Sequence, residues 1–359
     1  MRNISVIVPS FNSIATIKES FESLFLQHYS GEIEYIFIDG GSTDGTLEYL
    51  NEQQRTCPQL RVISCTDGLS ASRNTGVRES RYRILAFTDS DCSVPKYWLS
   101  SMSEVYERWK SKDERVVGVG GSNIPPEQTS YFYDALETMK NSYLGSHGSV
   151  YGMSFPQEQY LPHIATVNAL YEKEILLKFP FDEDMIRISE DADITWRMSH
   201  EGYCFVYNPA GSVHHTLRPT VYLWAKNMFL YGEGRVMLFR KYPSMMIERP
   251  ILLAPMLLVI AIALFLGGIT YVPFSLYIIL ILLISFYLVV KRKNILLFPL
   301  VVLLFLISHT SYGLGQWEEL LLQTQGKRGK SSKEYGVSCW FVLHTIYASY
   351  PVHYDSCFF

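Results

Sequence analysis

The chain has 359 residues, of which 48% are hydrophobic and only 18% are charged. Soluble domains average about 25% charged residues, and this composition is also too hydrophobic for a disordered chain. A formal net charge of -4 gives no support for a nucleic-acid partner. The six cysteines contain no C-x-x-C pair, which argues against a disulfide scaffold and against a zinc site.

The N-terminal part alternates short apolar runs with amphipathic stretches. The first run is too short for a signal peptide and is predicted to be a buried strand. Strands are predicted at Ile4–Val8, Ile33–Ile38, Arg61–Ile63, Ile84–Thr88, Val116–Gly120 and Cys204–Tyr207. Helices are predicted at Ile14–Gln27, Thr46–Gln54, Leu69–Glu79, Lys96–Trp109 and Asp191–Gly202, with loops and short helices over residues 122–163. Strands separated by helices in this way indicate βαβ units and a mostly parallel, Rossmann-like sheet.

The C-terminal third is apolar. Residues 221–247 mix large apolar and basic side chains, which favours helices in a membrane interface over ordinary surface helices. No Asp, Glu, Lys or Arg occurs in the 41 residues from Pro250 to Val290, or in the 24 from Asn294 to Trp317. A membrane helix needs about 20 apolar residues, so three spans are predicted. They are Ile251–Ile269, Val272–Val290 and Ile295–Tyr312.

The basic residues around these spans bear on the topology. Lys291-Arg292-Lys293 follows the second span and predicts a cytoplasmic loop, with the N-terminal domain on the same side. A basic tail at residues 327–333 also favours the cytoplasm, although three full spans would place it outside. Either the third segment is re-entrant, with weak points at Pro299 and residues 308–311, or the tail is an exception to the rule.

Polar residues follow three of the predicted strands. The first strand ends in V-P-S-F-N at residues 8–12, and the second in D-G-G-S-T-D-G-T at residues 39–46. The fourth ends in Thr88-Asp89-Ser90-Asp91. Ligands of parallel α/β sheets bind at the carboxyl ends of the strands. Two carboxylates one residue apart can hold a divalent cation and, through it, a diphosphate.

Structural roles also fit these residues. Asp91 is a candidate N-cap of the helix predicted near Pro95, and Ser42 or Asp44 a candidate cap of the helix after the second strand.

Taken in order, five motifs resemble the family 2 glycosyltransferases of the GT-A fold over roughly residues 1–215. They are V-I-V-P-S-F-N, I-D-G-G-S-T-D-G-T, S-A-S-R-N-T-G, F-T-D-S-D and S-E-D-A-D-I-T-W-R. The resemblance implies a nucleotide-sugar site lined by Pro9, Phe11, Asn12, Asp39, Arg73, Asp89 and Ser90. It also implies Asp91 as the metal ligand and Asp191 as the catalytic base. The family's two consecutive acids after the second strand are here Asp39-Gly40, which leaves one carboxylate fewer near the ribose.

Several implied roles keep alternatives. Asp191 is also a candidate N-cap, and Glu190 a candidate acceptor contact. Either His214 or His215 completes the metal site, with His215 favoured, unless the residue is structural. Arg235 and Arg218, in a segment similar to membrane-attached relatives of the succinoglycan glucosyltransferase-like group, are candidates to clamp a lipid diphosphate. The alternative is that both meet anionic lipid headgroups.

The sequence therefore predicts an α/β GT-A catalytic domain (1–220), interfacial helices (221–249), a transmembrane region (250–314) and a basic, then aromatic, tail (315–359). The expected protein is an inverting glycosyltransferase with a divalent cation, Mg²⁺ or Mn²⁺, on the cytoplasmic face of the cell membrane. The expected donor is a UDP-sugar, and the acceptor a lipid-linked saccharide of surface polysaccharide or glycan synthesis. The alternatives are a polyprenyl-phosphate sugar synthase and a catalytically silent membrane scaffold of the same fold.

Overall fold

The computed structural model of this protein describes residues 2–126, 130–146, 152–185, 188–216 and 220–324. The chain divides into two compact units. Of the described residues, one unit contains those up to Thr220 together with Leu282–Phe305, and the other contains Val221–Ile281 together with those from Leu306 onward.

The strands and helices alternate through the first unit, as the sequence pattern predicts. The strands are β1 (Ile4–Ser10), β2 (Ile33–Asp39), β3 (Leu60–Ser64), β4 (Ile84–Thr88), β5 (Cys92–Ser93), β6 (Val116–Gly120), β7 (Asn123–Ile124), β8 (Gln159–Leu161), β9 (Asn168–Glu172), β10 (Cys204–Tyr207) and β11 (Val213–His215). The helices are α1 (Ile17–Phe25), α2 (Thr46–Thr56), α3 (Leu69–Glu79), α4 (Trp98–Lys110), α5 (Tyr131–Lys140), α6 (Tyr143–Ser146), α7 (Lys173–Lys178), α8 (Glu190–His200), α9 (Val221–Lys241), α10 (Ser244–Glu248), α11 (Ala254–Leu266), α12 (Val272–Arg292) and α13 (Phe298–Thr324).

Eight strands form the main sheet, in the order β3-β2-β1-β4-β9-β6-β10-β8. The pairs among β1, β2, β3 and β4 are parallel, as is the pair of β6 with β10. Strand β9 lies antiparallel between β4 and β6, and β8 is antiparallel to β10. The expected α/β class with a mostly parallel, GT-A type sheet is confirmed. The antiparallel β9, in the middle of the sheet, is the feature that the sequence pattern did not predict.

Both faces of the main sheet are covered, because alternate residues of each strand point to opposite sides. On β1, Ile4, Val6 and Val8 belong to one buried apolar cluster, whereas Ile7 belongs to the other. The neighbouring strand repeats the pattern, with Phe37 in the first cluster and Ile36 in the second. The carboxyl edge is therefore the part of the sheet where polar side chains can gather.

A second, three-stranded sheet has the order β5-β11-β7. In it β11 pairs antiparallel with β5, His215 opposite Cys92, and parallel with β7, Val213 beside Asn123. Asn168, at the start of β9, accepts a hydrogen bond from Trp98 and donates to the carbonyls of Ser122 and Gly211. This buried amide fixes the segments that lead into β7 and β11.

The C-terminal helices differ in length from the predicted spans. By length and composition, α12 (21 residues) and the helix Ile295–Leu322 (28 residues) could cross a membrane. The first predicted segment is a shorter apolar helix, Pro250–Leu266, because a turn begins at Gly267. Helix α13 continues through residues 308–311, where a re-entrant segment was one alternative. The basic tail at 327–333 lies outside the described residues, so the side of the membrane on which it lies stays a prediction.

In the second unit, α9 packs closely on α13. A Cβ atom added to Gly232 would lie 2.0 Å from the Tyr312 carbonyl oxygen, and one added to Gly315 would lie 2.0 Å from that of Phe229. Hydrogen bonds from Trp224 to Ser308 and from Arg240 to the buried Glu319 join the same two helices. Small residues and interhelical hydrogen bonds are how helices associate in apolar surroundings.

A substitution at Gly76 can test the packing of α3 on the sheet. A Cβ atom at Gly76 would lie 2.4 Å from Cγ2 of Ile7, a buried and β-branched side chain with little freedom to move. Helix propensity alone would make Gly76→Ala stabilising by up to about 1 kcal/mol. We expect the clash to dominate and to destabilise the protein by about 1–3 kcal/mol, measured as a drop of several degrees in the thermal unfolding midpoint.

The Ile7→Ala variant provides the control, since it leaves a cavity where the new methyl group would fit. The double variant should then be more stable than the sum of the two single changes predicts. Strict additivity would show that Gly76 and Ile7 do not limit each other's size.

Candidate active site

The loops after β1 and β2 are held together by hydrogen bonds at the carboxyl edge. The backbone N–H of Asn12 donates to the Ser42 hydroxyl at 2.9 Å, and the Asn12 side chain accepts from the N–H of Thr43 at 2.8 Å. Asn12 has φ +46°, a conformation that asparagine tolerates better than most residues. Pro9 is buried at the end of β1 and Phe11 is half-buried, so these two predicted residues lie beside this pair of loops.

Asp39 lies beneath the same loops. It is fully buried, and its carboxylate accepts from the N–H groups of Gly41 and Ser42 and from the Ser42 hydroxyl at 2.6 Å. These bonds make Asp39 the organiser of its own loop. The predicted contact of Asp39 with a base stays a prediction. The capping role suggested for Asp44 is present, because its carboxylate accepts from the N–H and hydroxyl of Thr46.

The D-S-D segment connects β4 to the small sheet. Asp89, its first residue, directly follows β4, the Ser90 hydroxyl bonds that of Ser13 at 2.8 Å, and Asp91 comes immediately before β5. Helix α4 begins only at Trp98, with Tyr97 as its N-cap, so Asp91 does not cap it.

His215 is brought to Asp91 by the register of β11 on β5. The Nε2 atom of His215 lies 3.3 Å from Oδ1 of Asp91. The Nδ1 atom of His214, whose side chain alternates to the other face, lies 2.9 Å from the carbonyl oxygen of Pro125. Of the two adjacent histidines, His215 is thus the one beside the carboxylate.

Asp91, Cys92 and His215 could together hold a metal ion, since one ligand atom from each lies within 4.8 Å of the others. The buried position of Cys92 raises the pKa of its thiol well above the ordinary value. A protonated thiol is a poor metal ligand, whereas a carboxylate and an imidazole suit Mn²⁺ and, for the oxygen, Mg²⁺. The set therefore fits a hard or borderline divalent cation held by Asp91 and His215.

Arg73 links the D-S-D segment to the S-E-D segment. Its guanidinium is almost completely buried and donates to Glu190 and, at 3.2 Å, to Oδ1 of Asp89. Two further residues of this motif, Asn74 and Gly76, have structural roles. Asn74 bonds the backbone of Phe181 and the carboxylate of Glu183, and Gly76 allows α3 to approach β1. The R-N-T-G sequence therefore joins two sets of acids across the edge of the sheet.

Negative charge exceeds positive charge at this site. Burial raises the pKa of Asp89, as does the neighbouring Asp91, while Arg73 and His215 act against the shift. Burial also raises the pKa of Glu190, which Arg73 opposes and Asp191 reinforces. The cluster would accept further positive charge, because each carboxylate disfavours ionisation of its neighbour.

Asp191 lies in the first turn of α8, which begins at Glu190, so it is not the N-cap. That position is taken by Ser189, with φ +78°, and no described side chain caps the helix there. The Asp191 side chain is 28% exposed, in contrast to 8% for Glu190. Within the S-E-D segment, Glu190 is thus buried against Arg73, whereas Asp191 is partly exposed.

His163 is a neighbour of Asp191 that the sequence analysis missed. Its Nε2 atom lies 3.9 Å from the Asp191 carboxylate, and its Nδ1 atom bonds the Thr195 hydroxyl at 2.7 Å. The Thr195 hydroxyl also donates to the carbonyl of Asp191. A histidine five residues before the buried Asn168 offers no motif of its own. Only the antiparallel course of β9 brings it to α8.

The two predicted arginines differ in what the structure describes. Arg218 lies outside the described residues. Arg235 belongs to the second unit, where its Nε donates to the Tyr312 hydroxyl at 3.0 Å and a terminal nitrogen lies 3.6 Å from the Met245 sulfur. These contacts hold Arg235 within its own helical unit, and its predicted role toward a lipid diphosphate stays a prediction.

A mostly parallel GT-A type sheet with a carboxylate cluster at its carboxyl edge defines the class of the catalytic domain. The family model described as Glycosyl transferase family 2 matches residues 5–178. Residues 5–178 therefore form a family 2 glycosyltransferase domain.

Individual relatives are distant. Glycosyltransferase AglE of Haloferax volcanii is 26% identical over 240 residues, which are 65% of this chain and 73% of the relative. The dolichyl N-acetyl-alpha-D-glucosaminyl phosphate 3-beta-D-2,3-diacetamido-2,3-dideoxy-beta-D-glucuronosyltransferase of Methanococcus voltae is 25% identical over 251 residues, 67% of this chain and 75% of that enzyme. A solved mannosyltransferase, PcManGT from Pyrobaculum calidifontis in complex with GDP-Man and Mn²⁺, has a TM-score of 0.49 at 21% identity. That alignment covers 66% of this chain but only 63% of the solved chain.

Removing the Arg73 guanidinium should destabilise the domain. The change Arg73→Met leaves Asp89 and Glu190 without their shared partner, and an unpaired buried charge costs about 3–5 kcal/mol. We expect a large drop in the thermal unfolding midpoint, partly recovered when Glu190→Gln is added.

Arg115→Met is the matched control, because Arg115 pairs with Asp113 at the surface and such pairs contribute about 0–1 kcal/mol. Equal effects of the two methionine variants would contradict the role of Arg73 as the link between the acids.

Proposed function

We propose that this protein is an inverting, metal-dependent glycosyltransferase that moves a sugar from a UDP-sugar to a lipid-linked saccharide at the cytoplasmic face of the membrane. The observation that carries the proposal is the double contact of Arg73 with Asp89 and Glu190. It joins the segment suited to a diphosphate and its cation to the S-E-D segment, which carries the proposed base Asp191. A scaffold without activity would not need this buried charge cluster.

The proposed cation would be held by Asp91 and His215 and would neutralise charge on the leaving diphosphate. The fit rests on the 3.3 Å approach of these two side chains and on the excess of carboxylates around them. Two hydrogen bonds hold the D-S-D segment in place. Asp89 accepts from Arg73, and the Ser90 hydroxyl bonds the Ser13 hydroxyl. The loops at Asn12 and Asp39 would take the nucleotide.

Asp191 is the proposed general base for the acceptor hydroxyl. It is the exposed carboxylate of the S-E-D segment, and it stands close to the acids that Arg73 collects. Glu190 is bound by Arg73 and buried, so it is poorly placed to act as a second, nucleophilic carboxylate or as an acceptor contact. One base without a nucleophile favours direct displacement and inversion at the anomeric carbon, by analogy with glycosidases.

The acceptor and the location are proposed from the C-terminal helices and from the relatives. Much of α12 is exposed apolar surface, including Leu276, Leu283 and Tyr287, which water would disfavour and a bilayer would cover. Within the first unit, Arg292 at the end of α12 pairs with Glu137 of α5 at 2.8 Å. This contact supports a catalytic domain on the same side as the basic loop. The name of the M. voltae relative specifies a lipid-linked monosaccharide acceptor, and we propose that class of acceptor here.

A polyprenyl-phosphate sugar synthase is the second candidate, because the same site and anchor suit a bare lipid phosphate. Incubating membranes that contain the protein with a panel of radioactive nucleotide sugars separates the two. A labelled lipid-linked disaccharide or longer saccharide supports the proposal, whereas a labelled lipid monosaccharide supports the synthase. Absence of both transfer and sugar-nucleotide hydrolysis across the panel would support the inactive scaffold.

The base is tested by Asp191→Asn. We expect transfer to fall by about 10²–10⁴-fold, since the amide cannot take the proton, while the Kd for UDP with Mn²⁺ changes little. Asp193→Asn, in the same helical turn, removes a carboxylate that pairs with Arg197 and serves as the control. Full activity of the Asp191→Asn protein would remove Asp191 from this role.

The metal site is tested by comparing two neighbouring histidines. His215→Ala should weaken Mn²⁺ binding by about 10–100-fold in calorimetry, because it removes a side chain next to Asp91. His214→Ala should leave Mn²⁺ binding unchanged, since that ring contacts a backbone carbonyl instead. Equal losses would argue against a specific ligand role for His215, and full turnover with a chelator present would argue against any metal role.

A further inference from the structure

The chain between α12 and α13, residues 291–297, is here called the α12–α13 turn. Its three basic residues, 291–293, are exposed. Two apolar side chains that follow them, Ile295 and Leu296, are also exposed, at 53% and 73%. The helices on either side of the turn are apolar and long enough to cross a membrane. A turn between two membrane helices lies at the level of the lipid headgroups, where lysine and arginine are frequent.

Helix α5 of the catalytic domain is held against this turn. The Tyr131 hydroxyl donates to the backbone carbonyl of Leu296. Farther along the helix, the guanidinium of Arg292 bonds Glu137 at 2.8 Å and lies 3.9 Å from the carboxylate of Asp134. These contacts all lie within the first unit. Since the three α5 residues follow one another at intervals of three, they form one side of the helix, and that side lies at the level of the turn.

The other side of α5 packs into the catalytic domain. Ala135, Leu136 and Met139 are completely buried there, so the helix cannot rotate without exposing them. Tyr131 remains 51% exposed although its hydroxyl is bonded. A tyrosine with a bonded hydroxyl and an exposed ring is typical of the boundary between water and a bilayer. The packing of α5 therefore fixes the exposed ring beside the α12–α13 turn.

We propose that the Tyr131 side of α5 and the α12–α13 turn together rest on the surface of a lipid bilayer. The inference rests on the proposed function, from which it takes the membrane location, and it names the surface of the catalytic domain that touches lipid. Ile295 and Leu296 would enter the apolar edge of the bilayer. Lys291 and Lys293 would meet anionic headgroups, which attract basic residues next to a membrane helix.

A protein partner fits this surface less well than lipid does. Lysine is depleted in protein–protein interfaces, whereas anionic lipids attract it. The exposed apolar surface also continues along the last part of α12, where Leu283 is 65% and Tyr287 is 63% exposed. A bilayer covers the helix and the turn with a single surface. This continuity favours lipid over a second copy of the chain.

The proposed contact is close to the candidate active site along the chain. The carbonyl oxygen of Pro125, just after β7, lies 2.9 Å from Nδ1 of His214, which precedes the proposed metal ligand His215. Helix α5 begins at Tyr131, so at most about 20 Å of extended chain separates it from Pro125. The bilayer surface would thus come near the small sheet, where a lipid-linked acceptor has to meet the donor.

Photo-crosslinking from position 131 tests the inference. The full-length Tyr131→p-benzoylphenylalanine variant is reconstituted into vesicles of phosphatidylcholine and phosphatidylglycerol and irradiated, and lipid adducts of the peptide are quantified by mass spectrometry. We expect phospholipid adducts, because the replaced ring is half exposed on the proposed contact surface. A change at such an exposed position should leave the thermal unfolding midpoint nearly the same.

Two positions with the same replacement are the controls. Tyr160 is 49% exposed, and its hydroxyl bonds Asp113, which precedes β6 and so lies at the opposite, amino edge of the parallel strands. Its lipid adducts should be several-fold fewer than those of position 131. Leu283, on the exposed surface of α12, should give abundant adducts and reports whether α12 itself lies in lipid.

The ion pairs that hold α5 are tested by adding Arg292→Glu. The new carboxylate would repel Asp134 and Glu137, so α5 should move away from the turn and the lipid adducts from position 131 should fall several-fold. Adducts from position 283 should not change. Arg108→Glu is the matched control, because Arg108 pairs with Glu158 elsewhere on the surface, and it should leave the adducts from both positions unchanged.

Each other result overturns the inference. Absence of adducts from position 131 when position 283 is labelled, or equal yields from positions 131 and 160, excludes a lipid contact of α5. Crosslinks from position 131 to a second copy of the chain instead of lipid assign this surface to a self-interface. An unchanged yield in the Arg292→Glu protein, or an equal loss in the Arg108→Glu protein, removes the role of the ion pairs.

Position 283 separates this inference from the proposed function. If it gives no lipid adducts either, α12 does not lie in a bilayer, and the membrane location fails together with the inference. Binding of UDP with Mn²⁺, measured by calorimetry on the same protein, then shows whether the enzymatic part of the proposed function still holds.

Discussion

The structure of the catalytic domain depends on one buried guanidinium. Arg73 sits among several carboxylates at the edge of the sheet and donates directly to two of them, Asp89 and Glu190. Two acids from distant parts of the sequence would repel each other without it, and both already have a raised pKa. The ion pairs hold the end of β4 against the start of α8. The exposed Asp191 is placed as a consequence of this arrangement.

The small sheet provides the second constraint. The register in which β11 pairs with β5 places His215 beside Asp91. The same register directs His214 to the other face. Strand β7 pairs with the far side of β11 and completes the small sheet.

Close helix packing and internal polar pairs characterise the apolar C-terminal part. Its helices approach each other through glycines such as Gly232 and Gly315, and polar side chains such as Glu319 are paired inside the unit. Apolar side chains of α12 stay exposed. Internal polar pairs with an apolar exterior are the arrangement expected in a lipid environment.

Much of the fold was predictable from local pattern. The apolar runs that end in V-P-S-F-N and F-T-D-S-D are strands, and the intervening amphipathic stretches are helices, because burial on both faces requires continuous apolar strands. The antiparallel β9 was not predictable in the same way. The run around Asn168 is apolar enough for a strand, but strand direction leaves no local signal. His163 was missed for that reason, since its proximity to Asp191 follows from the direction of β9.

The sequence by itself determined the family, the mostly parallel sheet, the acids at its carboxyl edge and the apolar C-terminal part. Each of these features follows from residue types and their short-range spacing, because these determine local geometry and burial. Only the tertiary structure decided that His215 rather than His214 faces Asp91 and that Arg73 joins Asp89 to Glu190. Such pairings join residues far apart in the chain, and strand register and order, which no local pattern encodes, bring them together.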